Sequence, residues 1–154
     1  MKAKQFLTMV LLVAASSFIY SFVTAMGGEG FEIYLDNKLV LQQFNQEMKV
    51  KKNIQLTAAH SKSELKVKYY HCGMAGKSRT LELKNAEQKT LKQWQFDNSK
   101  GKNFAITVAV KDILSSQEQA GSNTIYLYYS SKEAPQGRLL AGIVHAIKNL
   151  VTSK

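Results

Sequence analysis

Phe31, Ile33 and Leu35 alternate with Glu32 and Tyr34, and this two-residue period returns in almost every segment that follows. Successive side chains of an extended chain point to opposite faces, so the pattern describes strands with one buried and one solvated side. It stops at Asp36-Asn37-Lys38 and restarts through residues 39–44, which predicts a hairpin, because Asp and Asn tolerate the left-handed backbone of a tight turn. Ile54 and Leu56, then Leu65, Val67 and Tyr69, continue the alternation. Residues 80–84 and 90–96 flank a polar turn and predict a second hairpin that places Trp94 and Phe96 in the core. Phe104, Ile106, Val108 and Val110 form another run, and Ile125, Leu127 and Tyr129 oppose Tyr126 and Tyr128 in the last strong strand. Seven to eight short strands at this spacing predict an all-β fold, an antiparallel β-sandwich of immunoglobulin-like or jelly-roll-like type.

Two segments fit the pattern less well. Lys111-Asp112-Ile113-Leu114 reads as one helical turn, with polar residues 115–123 as a loop at a corner. Residues 138–151 place Leu139, Leu140, Ile143, Val144, Ile147, Leu150 and Val151 on a helical face. Gly142 and the turn signal at Glu133-Ala134-Pro135-Gln136-Gly137 favour a strand over 138–144, followed by a short helix or tail.

The first 25 residues belong to a different class. Lys2 and Lys4 precede an apolar stretch, and Val23-Thr24-Ala25 supplies small residues before a cut, so 1–25 reads as a secretory signal and 26–154 as a single β-sandwich domain. An uncleaved anchor is the alternative reading, since the apolar span approaches the roughly 20 residues of a membrane helix. After cleavage no stable membrane span is expected, and the mature chain belongs in the periplasm or outside the cell. Taking Lys2 and Lys4 from 21 basic residues leaves 19 against 11 acidic ones, a formal charge of +8. Such a balance favours anionic neighbours such as acidic polysaccharide, lipopolysaccharide or another envelope protein. Only Arg79 and Arg138 are arginines, and the lysines are spread over the whole chain, as on solvated strand faces.

Cys72, the only cysteine, stands beside His71 and two positions before Met74. Thiolate, imidazole and thioether together suit a soft metal, so His71, Cys72 and Met74 define a copper-handling alternative. Against it, alternation from Leu65 sends His71 inward with Tyr69 and Cys72 outward with Tyr70, and neither His60 nor His145 stands at a useful spacing. The favoured reading makes Cys72 structural, at a strand end before a loop.

Catalytic motifs are missing from the chain. It has no Gly-x-Ser-x-Gly, no His-Glu-x-x-His and no phosphate loop, and its acids are scattered singly, so no catalytic residue and no cofactor is assigned. A secreted hydrolase with an unseen carboxylate pair is the weaker alternative. What remains is aromatic and basic material on a sheet, and Tyr126, Tyr128, Lys66, Lys68 and Tyr70 are the candidate binding residues of a non-enzymatic module.

Overall fold

A computed structural model describes residues 28–98 and 104–145. Nine strands and one α-helix follow in the order β1 (Gly30–Leu35), β2 (Lys38–Phe44), β3 (Asn53–Leu56), β4 (Glu64–Tyr70), β5 (Arg79–Lys84), β6 (Thr90–Phe96), β7 (Ile106–Ala109), α1 (Val110–Gln119), β8 (Thr124–Ser130) and β9 (Arg138–His145). They build an all-β sandwich of two sheets, one ordered β2-β1-β4-β7 and the other β3-β9-β8-β5-β6. The expected hairpins are present as β1–β2 and β5–β6, and 138–145 is a strand paired with β8. Asp36 takes the left-handed φ of 55° at the first turn. Residues 1–25, expected to be a secretory signal, and the tail beyond residue 145 lie outside the described residues.

Alternation places the core as expected. Phe31 and Ile33 of β1, Leu65, Val67 and Tyr69 of β4, and Ile106 and Val108 of β7 are buried against Leu81 and Leu83 of β5 and Ile125, Leu127 and Tyr129 of β8. Trp94 packs only against the margin of this core and is half-buried, because β6 is the outermost strand of its sheet.

Three expectations are corrected. Among the described residues the strands number nine rather than seven or eight, and one pair is parallel: Asn53–Leu56 of β3 runs alongside Gly142–His145 of β9. The single helical turn after β7 is a ten-residue helix that continues through Gln119. Its second half looked like a loop because Ser116 and Gln117 are polar, yet both are buried. The Ser116 hydroxyl donates to the Asp112 carbonyl at 2.8 Å, and the Gln117 amide donates to the carbonyls of Asn123 (2.8 Å) and Ile143 (3.3 Å). Hydrogen bonds engage the Ser116 hydroxyl and the Gln117 amide nitrogen where periodicity looks for apolar groups, while the buried Gln117 Oε1 has no partner among the described residues. Arg79, also buried, ties the sheets together by donating to the carbonyls of Asp97 (2.7 Å) and Phe104 (2.6 Å). Among the described residues no helix is long and apolar enough to cross a membrane.

Candidate functional site

Residues that alternate away from the core fall on two outer faces, and the five candidate binding residues divide between them. Lys66, Lys68 and Tyr70 lie on the outer face of the four-stranded sheet, because Leu65, Val67 and Tyr69 of the same strand point inward. Tyr126 and Tyr128 lie on the outer face of the other sheet, on the opposite side of the molecule.

On the four-stranded sheet, the pairing of β1 with β4 sets Glu32 beside Lys68 and Tyr34 beside Lys66. The Glu32 carboxylate accepts from both the Tyr34 hydroxyl (2.7 Å) and the Tyr70 hydroxyl (2.9 Å), so one acid fixes two rings. Burial first, then this carboxylate, pushes the Tyr70 hydroxyl up to about 12. The bond to Glu32 likewise raises Tyr34, and both phenols stay protonated donors at neutral pH. The Lys68 ammonium stands 5.2 Å from the centre of the Tyr34 ring. Lys66 reaches Glu64 at 3.5 Å and the Asn37 amide oxygen at 3.3 Å.

Further along, Phe44 and Tyr70 flank Gly30, with ring centroids 6.0 Å apart. A Cβ at Gly30 would fall 2.1 Å from Phe44, so only glycine lets that ring lie across β1. Tyr34, Asn37, Lys66, Lys68 and Thr107 line an open depression of about 530 Å³ that Asp36 and Glu64 close at one end. The Asp36 carboxylate accepts from the Glu64 amide at 2.9 Å, and this bond holds it below the ordinary carboxylate range. The depression thus combines an aromatic ring, two ammonium groups and fixed polar side chains on rigid strands.

The opposite face is built differently. Lys51 donates to the Tyr126 hydroxyl at 3.1 Å with its ammonium 4.2 Å from the ring centre, and Lys84 stands 5.0 Å from the Tyr128 ring. Lys84 also pairs with Glu82 at 3.0 Å. Both tyrosines are half-buried, and a lysine lies over each ring.

His71, Cys72 and Met74 sit on a two-residue turn. His71 and Met74 exchange backbone hydrogen bonds (2.8 and 3.0 Å), and Cys72 and Gly73 carry left-handed φ angles of 50° and 83°. Cys72 is exposed at the tip and Met74 is 68% exposed, while the His71 ring turns inward onto Tyr69, 4.9 Å between centroids. Among the described residues no three His, Cys, Asp or Glu side chains are grouped so as to hold a metal.

Sequence reasoning missed what His71 does touch. Its Nε2 lies 3.0 Å from the Ser131 hydroxyl and 3.4 Å from the Tyr129 hydroxyl, and Tyr129 stacks on Tyr69 at 4.2 Å. Burial lowers the His71 pKa, which favours the neutral ring, and its Nε2 shares a hydrogen bond with the Ser131 hydroxyl. Burial alone would raise Glu29, but hydrogen bonds from Tyr69 and Arg138 outweigh it and hold the carboxyl below its ordinary range. A serine beside a neutral histidine is the raw material of a nucleophile, and no spacing in the sequence announces it. Ser131 is only 5% exposed, its oxygen also accepts from the Ala134 amide at 3.2 Å, and the backbone of Gly76 roofs the pair. The cluster therefore closes one end of the sandwich rather than presenting a nucleophile.

No protein-family model matches the chain, and neither a curated protein nor a solved structure matches it.

Proposed function

We propose that this chain is an exported, non-enzymatic binding module that takes an acidic carbohydrate on the outer face of its four-stranded sheet. The observation that carries this reading is the convergence of Tyr34, Lys66 and Lys68 on one open depression, with Asn37 and Thr107 alongside. A sugar ring stacks on an aromatic face, hydroxyls pair with fixed amides and alcohols, and ammonium groups meet carboxylates or sulfates. With 1–25 removed, 19 basic against 11 acidic residues leave a formal charge of +8, which draws polyanions toward such a surface. Export is supported by the lysines, apolar stretch and small residues of 1–25. The sealed Ser131–His71 pair supports a binding role over a hydrolytic one.

The test is titration with polygalacturonate, with neutral dextran and a DNA duplex as comparisons. Polygalacturonate should bind, dextran should not, and Lys66→Ala combined with Lys68→Ala should weaken binding by about tenfold or more at moderate salt. Equal affinity for DNA and polygalacturonate, or an unaffected double variant, would reduce the face to ordinary solvated lysines.

A further inference from the structure

We propose that the side of the sandwich between β2 and β3 receives an extended apolar segment of a partner protein, one flanked by acidic residues. β2 ends one sheet and β3 ends the other, and the chain passes between them through the short turn Asn45–Lys49. The Gln43 side chain locks that turn by donating to the carbonyls of Glu47 (2.6 Å) and Val50 (2.8 Å). Two strand edges therefore lie on the same side of the molecule, each with a flank of peptide groups that no described strand pairs. Between them is a groove of about 250 Å³ lined by Leu35, Val40, Asn53, Ile54, Gln55 and Leu56. Ile54 and Leu56 belong to the buried core and Leu35 packs against it, so the floor of the groove is the core itself.

Exposed apolar side chains gather along the same edge: Leu39 is 42% exposed, Val40 39% and Val50 59%. Free peptide groups beside exposed apolar side chains are what strand addition uses, the backbone giving affinity and alternate side chains filling pockets. Proteins usually guard such an edge with charge. Here the charge stands at the ends of the two strands, where Lys38, Lys49 and Lys52 are all exposed, with Glu47 as the acid in the connecting turn. A second copy of the chain would bring these lysines against one another, whereas acidic flanks on a different protein complement them. This surface does not depend on the carbohydrate reading.

Fluorescence anisotropy with two labelled ten-residue peptides tests the assignment, each with alternating Val and Thr in the centre. One carries Glu and Asp at its ends and the other carries Lys. The protein should bind the acidic-ended peptide, and Val40→Lys should weaken that binding by about tenfold or more while circular dichroism stays unchanged. Lys49→Glu with Lys52→Glu, at exposed positions, should shift preference to the lysine-ended peptide, a readout that stands even if the Val40 variant misfolds. Four results would overturn the proposal: neither peptide bound, both bound equally, no effect of the variants, or a concentration-dependent dimer of the wild type that Val40→Lys dissolves.

Discussion

A methyl group at position 76 would sit 2.5 Å from the Tyr129 hydroxyl and 2.8 Å from both His71 Nε2 and the Ser131 Cβ. Gly76→Ala must therefore push apart a packed polar cluster, and its urea midpoint should report a loss of about 1–3 kcal/mol. His71, beneath it, makes stability depend on pH. Burial holds its folded pKa below the ordinary 6.5, so the unfolded chain takes up a proton first as the pH falls. Stability then drops from about pH 6.5 downward until the folded imidazole itself titrates. Around the ring, Glu29, Glu133 and Arg138 are the charged groups that act on it. Glu29 and Glu133 are held below 4.5, so their contribution is present above that value and is lost as the pH falls through their lower folded values. His71→Gln should flatten the urea-midpoint profile between about pH 7.5 and 5.5; a slope equal to that of the wild type would remove His71 as its source.

At the scale of elements, β6 shows how an edge limits what a large side chain contributes. Trp94 stands opposite Leu81 and faces the core, but no described strand lies beyond β6, and Lys92, two residues earlier on the same face, holds its ammonium 5.4 Å from the ring. Lys92 also reaches Asp112 of α1 at 3.3 Å, linking helix to edge. Trp94→Ala should cost about 1–3 kcal/mol in chemical denaturation, below the 3–5 kcal/mol of a fully buried aromatic. The inward direction of Trp94 was legible from alternation; its position at an edge was not, because strand order is a property of distant pairings. The same limit hid the parallel pairing of β3 with β9, which joins Asn53 to Gly142. The hairpins were legible because turn and register are local, and α1 was shortened because buried Gln117 and Ser116 do not look like a helix face. Of the candidate site, Lys66, Lys68 and Tyr70 could be assigned to one face of a strand, but Tyr34 joins them only through the β1–β4 register, and His71 meets Ser131 only across the fold.

For the molecule as a whole, the question is which side of the sandwich a polyanion chooses, since both outer faces carry tyrosines under lysines. Long-range attraction from the net positive charge does not distinguish them, and salt screens it beyond roughly 10 Å at 0.1 M. Short-range geometry does. On the five-stranded sheet Lys51 is bonded to the Tyr126 hydroxyl and Lys84 to Glu82, and a ligand would have to displace those partners. On the four-stranded sheet Lys66 is likewise held by Glu64 and Asn37, so the difference rests on Lys68, which pairs with no acid among the described residues and stands over the Tyr34 ring at the depression. Replacing Lys51 and Lys84 by alanine removes the same formal charge as replacing Lys66 and Lys68, so the two double variants separate location from net charge. At about 0.15 M salt the Lys66/Lys68 pair should lose about tenfold or more in polygalacturonate affinity, and the Lys51/Lys84 pair less than about threefold. Equal losses would mean that net charge alone draws the polymer, and a larger loss in the Lys51/Lys84 pair would move the site to the face carrying Tyr126 and Tyr128.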